Sequence, residues 1–343
     1  MRYNPALDGL RAVAVSLVIA THAYHPALPG GWIGVDVFFV LSGYLITSIL
    51  LNELQRSGGI SLSNFYMRRI LRLTPALAVL VLFQLVRSAF SEDRREILEA
   101  TLVGATYLEN WNSVFYFAPF DLMGHTWSLA VEEQFYWLWP FTLLFLVRNK
   151  PLVWISPRLA AMVITRMVLW NAGYSTSTLN YSLGIRPVGL LIGCIIALLP
   201  IDRWQPHPLV APIFLAALVG IAFFADSSPY AFLAAPLAAS TATALLIICL
   251  QYKGPIFALM ASPLLVYTGE ISYGLYLYHW PIFILGESFK IQTPFHLYAL
   301  GLVVVIFIAA ALSYEFVEKP FLRLKEKFQQ RPATQQFAER YAP

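Results

Sequence analysis

The chain has 343 residues, 58% of them hydrophobic and only 12% charged, which excludes an ordinary soluble globular domain and indicates an integral membrane protein. Its formal net charge of +4 comes from bases scattered beside apolar stretches, which reads as loop charge at a bilayer rather than a nucleic-acid surface. Cys194 and Cys249 both fall inside apolar runs and imply no disulfide framework. With no C-x-x-C, no H-E-x-x-H and six scattered histidines, no metal is expected.

Ten segments have the roughly 17–25 residues needed to cross a bilayer core as helices. They lie near 8–27, 33–51, 73–90, 126–147, 152–170, 184–200, 209–225, 230–250, 262–286 and 297–317. The expected fold is therefore all-α, a polytopic membrane helix bundle of about ten transmembrane helices. Segment 97–108 is too short to span and reads as interfacial or packed on the bundle. The start of the chain lacks a small-residue cleavage site and reads as a retained first span. Arg56, Arg68, Arg69 and Arg72 crowd the loop 52–72, Arg148, Lys150 and Arg158 follow the fourth span, and Lys319, Arg323, Lys325 and Lys327 follow the tenth. The alternate loops are poor in base, so both termini are expected on the cytoplasmic side. One membrane domain, 1–320, is followed by a short cytoplasmic tail, 321–343.

In the first span, Arg11, Val15, Val18, His22 and His25 fall on one stripe. Eleven residues make about three helical turns with a net rotation of roughly 20°, and they set His22 roughly 16 Å above Arg11. A guanidinium and an imidazole on one face of a spanning helix mark a substrate path, an ion path or a catalytic centre. A snorkelling arginine with a structurally bonded histidine is the plainer alternative. Asp8 is placed to pair with Arg11. In the second span Asp36 shares a face with Val40, Gly43 and Thr47. It can reach His22 and orient the ring, or be a helix N-terminal acid favoured by the macrodipole. Gly43 permits close helix packing.

Arg68, Arg69 and Arg72 precede the third span. Arginine forks bind phosphate well, although spacing alone favours anchoring at the headgroups. Ser128, Glu132 and Tyr136 recur every four residues in the fourth span, and Glu132 with Glu133 cannot both face lipid cheaply. Ser272, Tyr276 and His279 form another polar stripe in the ninth span, with Pro281 predicted to kink it. His279 either lines a cavity or bonds a neighbouring helix. Glu315 and Lys319 read as a structural i,i+4 pair.

Taken in order, five stretches resemble integral-membrane acyltransferase family 3, the O-acyltransferases of surface sugars and some small natural products. They are Leu7-Asp8-Gly9-Leu10-Arg11-Ala12 with His22 ten intervening residues beyond Arg11, and Gly34-Val35-Asp36-Val37-Phe38-Phe39-Val40-Leu41-Ser42-Gly43-Tyr44-Leu45. Then come Phe65-Tyr66-Met67-Arg68-Arg69-Ile70-Leu71-Arg72-Leu73-Thr74-Pro75, Trp127-Ser128-Leu129-Ala130-Val131-Glu132-Glu133-Gln134-Phe135-Tyr136, and Ile271 through Pro281. The resemblance implies an acyl-CoA donor, by default acetyl-CoA, at the cytoplasmic face of a bacterial inner membrane. It also implies an acceptor hydroxyl on a cell-surface carbohydrate, a glycolipid or a small molecule.

It carries Arg11 and His22 over as the catalytic signature, Arg69 and Arg72 with Arg68 beside them as donor-side arginines, and Glu132/Glu133 as the acidic pair without saying which acts. Asp36 is expected to orient His22, while Ser128, Tyr136, Ser272, Tyr276 and His279 are expected to line the substrate cavity. His22 would act as base or as transient acyl carrier. Tyr44 stands where many relatives have Phe. The extra extracytoplasmic hydrolase-like domain of longer members is absent from this sequence, so transfer is expected within the bundle. The alternative reading is a proton-coupled transporter or flippase of an envelope precursor. The sequence says nothing of oligomeric state.

Overall fold

The computed structural model describes residues 3–147, 151–225, 228–287 and 295–325, and among them every regular element is helical. In chain order these are α1 (Pro5–Ala23), α2 (Gly34–Ser57), α3 (Leu62–Ala89), α4 (Arg94–Ala105), α5 (Glu109–Phe115), α6 (Trp127–Val147), α7 (Pro151–Asn171) and α8 (Thr176–Tyr181). There follow α9 (Val188–Leu198), α10 (Val210–Phe224), α11 (Pro229–Cys249), α12 (Pro255–Met260), α13 (Pro263–Glu270), α14 (Ser272–Glu287), α15 (Phe295–Ser313) and α16 (Lys319–Lys325). Arg148, Lys150, Lys327 and most of the predicted tail lie outside the described residues.

All ten predicted segments are helical, and six of the described helices are long and apolar enough to cross a membrane. Large apolar side chains such as Leu82 and Val86 on α3, Trp137 and Phe141 on α6, and Val304 and Ile308 on α15 are exposed, as hydrocarbon-facing positions must be. The chain is thus a polytopic helical membrane bundle.

Local chemistry sets the ends of the first two helices. The Asn4 side chain accepts the Ala6 N–H at 3.1 Å, and Pro5 occupies the first helical position, where its missing donor costs nothing. α1 stops at Ala23, and His25 falls in a separate short turn, so the predicted stripe ends at His22. Pro26 has no N–H to donate to the His22 carbonyl, so the α-helical ladder cannot run through it, and the backbone leaves the helix at Tyr24 (φ −155°, ψ 80°). α2 ends at Gly58, whose φ of +71° suits a residue without a Cβ.

Three other boundaries depart from the pattern. The segment predicted at 184–200 keeps only the 11 residues of α9, too short to span alone. It packs instead along α2, where a Cβ on Gly43 would run into the Leu190 carbonyl and one on Gly193 into the Val40 carbonyl. The segment predicted at 262–286 breaks at Ile271 into α13 and α14. Beyond α15, a π turn over Tyr314–Glu318 turns the buried Glu318 towards Ser313, while Lys319 pairs with Glu315 at 2.8 Å on the exposed side.

Two apolar clusters fill the bundle. One draws on α1, α2, α3, α6 and α14, the other on α1, α2, α10 and α11. Since α1 and α2 contribute to both, they form the spine of the bundle. The polar positions of α1, α2, α3, α6 and α14 meet beside it. Segment 97–108 packs on the bundle as α4, through buried Ile97, Ala100 and Gly104.

Candidate active site

Two cavities lie back to back along the bundle. The inner one, about 570 Å³, is lined by Asp8, Arg11, Ser42, Arg69, Arg72, Ser128, Glu132, Tyr136, Ser272 and Tyr276 among others. The outer one, about 430 Å³, is lined by His22, His125, Trp127, Tyr181, Arg186, Tyr276, His279 and Trp280 among others. Val35 and Tyr276 belong to both walls. Sequence pattern suggested one cavity; the structure divides it, with Ser128, Tyr136 and Ser272 inside, His279 outside and Tyr276 on the boundary.

The inner cavity is basic. Arg11 lies 3.6 Å from Asp8, the Arg69 guanidinium sits 4.4 Å over the Tyr136 ring, and Arg72 is within electrostatic reach of both Arg11 and Arg69. Arg68 turns away. It pairs with Glu53 at 3.2 Å and does not line the cavity, so the structure groups Arg69 and Arg72 with Arg11 and leaves Arg68 apart. Arg69 and Arg72 are three apart and share a helix face, while Arg68, one position earlier, is drawn to Glu53.

The same geometry separates the acidic pair. Glu132 faces the inner cavity and accepts a 2.7 Å hydrogen bond from the Ser42 hydroxyl. Glu133 lies behind it near Tyr107 and Tyr273, with one carboxylate oxygen buried and without a partner.

Three imidazoles gather at the outer cavity. The His22 ring centroid is 5.1 Å from that of His279 and 5.3 Å from Trp280, and His125 is 5.4 Å from His279. Each ring has one nitrogen against a backbone carbonyl: His22 Nδ1 at 2.8 Å from the Val18 oxygen, His125 Nε2 at 3.0 Å from the Leu277 oxygen, and His279 Nδ1 on the Tyr276 oxygen. A carbonyl only accepts, so those nitrogens carry the protons. His279 Nε2 is buried without a partner, and His22 keeps its Nε2 clear of the Val18 carbonyl that holds Nδ1. Pro281 accounts for His125: a proline at that position cannot donate to the carbonyl four residues back, which is that of Leu277, and His125 takes its place.

Tyr276 closes the boundary between the cavities. Its hydroxyl lies 2.6 Å from Ser128 Oγ and donates to the His125 carbonyl at 3.0 Å. Asp36 does not meet His22. Its carboxylate is fully buried and is gripped by both terminal nitrogens of Arg186, one at 3.1 Å. Arg186 lies 150 residues further along the chain, and a delocalised fork satisfies a buried carboxylate better than a neutral ring nitrogen. The orienting group on His22 is the Val18 carbonyl.

Sequence reasoning missed His125, Arg166 and Arg186. Arg166 carried a usable signal, since it and Arg158 are the two charges within the apolar segment 152–170. His125 directly precedes the Trp127–Tyr136 motif but off its four-residue stripe. Among the described residues no group of three or more His, Cys, Asp or Glu is arranged to hold a metal ion.

An arginine-lined pocket and a cluster of three imidazoles that share Val35 and Tyr276 in their walls suit transfer of a group between two bound molecules. The comparisons with known proteins agree with that class. The acyltransferase-domain model of acyltransferase family 3 matches residues 4–314, and the chain belongs to that family of integral membrane acyltransferases. It is 38% identical to YrhL of Bacillus subtilis (strain 168) and 34% identical to the peptidoglycan O-acetyltransferase OatA of Listeria monocytogenes. Identity to the O-acetyltransferase OatA of Staphylococcus aureus (strain NCTC 8325 / PS 47) is 33%. Each match covers 93% of this chain but only 55%, 56% and 57% of the relative, so the chain spans a little over half the length of these curated relatives. No solved structure matches it.

Proposed function

We propose that the chain transfers an acetyl group from cytoplasmic acetyl-CoA to a hydroxyl of a cell-wall carbohydrate, using the inner cavity for the donor and the outer cavity for the acceptor. The observation that carries this reading is the back-to-back pair of cavities, a phosphate-compatible arginine cluster in one and a free imidazole nitrogen in the other, with Val35 and Tyr276 between them. Arg11, Arg69 and Arg72 bind CoA phosphates, and the pantetheine arm carries the thioester to the partition. His22 Nε2 removes the proton of the acceptor hydroxyl as its oxygen attacks the thioester carbonyl. The C–S bond then breaks and the proton passes to the departing thiolate, giving the ester and CoA thiol. Glu132, held by Ser42, balances the arginines around the thioester end.

The comparisons support acetyl transfer to a wall carbohydrate through the relatives' names, and the arginine cluster supports a phosphate-bearing donor. The test is transfer of labelled acetyl from acetyl-CoA to peptidoglycan-type oligosaccharides by the purified chain in detergent. Transport needs two compartments and this assay has none, so transfer there sets aside the flippase alternative. No acetylated product from well-folded protein would overturn the proposal.

A further inference from the structure

The outer cavity contains an imbalance of charge that acetyl transfer alone does not call for. None of the described residues lining it is an aspartate or glutamate, whereas Arg186 forms part of its wall. Arg186 is buried, gripping Asp36 and lying 5.4 Å from the Phe39 ring and 5.5 Å from the Trp127 ring. A second buried guanidinium, Arg166 of α7, sits behind this wall and hydrogen-bonds to neutral groups. It donates to the Leu179 carbonyl at 2.5 Å, to Asn180 Oδ1 at 2.8 Å and to the Phe232 carbonyl. Asn180 and Phe232 themselves line the cavity. Both arginines feel Asp36, and each has a buried Nε without a partner. Two buried guanidiniums therefore share one carboxylate, leaving an excess positive charge beside the cavity, and a buried charge is expensive unless an anion answers it.

We propose that the outer cavity selects an acceptor bearing an anionic substituent, a carboxylate or a phosphate on the sugar, and that Arg186 and Arg166 are the residues that select it. This rests on the outer cavity being the acceptor site. Arg186 presents the charge at the wall. Arg166 supplies the excess, because Asp36 already neutralises one of the two. Trp127 and Tyr181 offer flat faces for the sugar ring. At a separation of about 10 Å and an effective dielectric near 20, one uncompensated charge favours an anionic over a neutral ligand by roughly tenfold.

The experiment measures binding of three sugars to the purified full chain: N-acetylglucosamine, N-acetylmuramic acid, which adds a carboxylate, and N-acetylglucosamine 1-phosphate. One or both anionic sugars should bind roughly tenfold more tightly than the neutral one, and the preferred anion identifies the source. Arg166→Gln should bring the three affinities together, while Arg166→Lys, which keeps the charge, should retain the preference. Equal affinities in the unmodified chain, or a preference that survives Arg166→Gln, overturn the proposal. If Arg166→Gln fails to fold, the three-sugar comparison on the unmodified chain still decides. Binding of none of the three would remove the acceptor cavity itself, whereas equal binding of all three removes only the charge selection.

Discussion

The two cavities are built from opposite materials for opposite tasks. The inner one gathers charge, with Arg11, Arg69 and Arg72 set against Asp8 and Glu132. The outer one gathers neutral rings and carries its charge in the wall: three imidazoles and several aromatic faces, with Arg186 tied to Asp36. A charged pocket near water can hold a polyanionic donor reversibly, since its arginines exchange one hydrated partner for another. A pocket lined by aromatic rings can present an imidazole nitrogen to an acceptor hydroxyl, as proton removal requires. If the cavities serve as proposed, this contrast makes donor binding and acceptor activation separable, and substitutions should damage one without the other.

The largest effect is expected at His22. His22→Ala removes the free Nε2 and should lower acetyl transfer by roughly 10²–10⁴-fold while leaving acetyl-CoA binding within a few-fold of normal. Direct binding of acetyl-CoA to the variant, set beside its turnover, checks this. Loss of both together would mean that the cavities do not act separately.

Next come the arginines. Arg69→Ala or Arg72→Ala should raise the KM for acetyl-CoA by roughly tenfold or more, with a smaller fall in kcat, as expected for charge-assisted phosphate contacts. Arg68→Ala should change KM by less than about threefold, because Arg68 is directed at Glu53. Equal effects at all three positions would favour simple headgroup anchoring of the whole basic loop over a donor pocket.

The helix-forming logic of the bundle is legible in the sequence, and its lateral partnerships are not. Apolar runs placed all ten helical segments, and the four-residue recurrence put Ser128, Glu132 and Tyr136 on one wall, where they are found. The failures occur where a second strand of chain decides the outcome. Asp36 was read against its nearest polar neighbour, His22, but its partner Arg186 comes from the far side of α8. The segment at 184–200 has the hydropathy of a span, yet only α9 is helical, pressed against α2 through Gly43 and Gly193. The partition is invisible in the same way, for Tyr276 and Ser128 are 148 residues apart and each looked like one member of a polar stripe on its own helix. His25 is the exception. Pro26 is in plain view, and its missing N–H leaves the His22 carbonyl without a helical donor, a purely local effect.

The partition gives an intermediate prediction. Tyr276→Ala should join the two cavities and let water reach the thioester, raising acceptor-independent hydrolysis of acetyl-CoA several-fold relative to transfer. Tyr276→Phe keeps the ring while losing the bonds to Ser128 and the His125 carbonyl, and should alter that ratio less. Released CoA thiol and acetylated product, measured in the same reaction, give the ratio. An unchanged ratio in Tyr276→Ala would mean that Val35 alone divides the cavities.

The smallest effect concerns stability. Glu109, in α5 between α3 and α6, is fully buried, accepts a 3.1 Å hydrogen bond from the Asn112 side chain and has its second oxygen unpartnered. Burial, only partly opposed by that bond, pushes its carboxyl up from the ordinary 4.5 to about 8. The folded chain therefore keeps a proton that the unfolded chain has released between those values. Stability falls as pH rises through that window, and the loss is complete once the folded carboxyl ionises above about 8. Glu109→Gln keeps the shape and an acceptor for Asn112 but has no proton to lose, so its Tm should depend less steeply on pH across the same window. Because Glu109 lines neither cavity, transfer at neutral pH should change far less than in the variants above, and a large loss of activity with an unchanged Tm profile would instead connect this loop to the acceptor side.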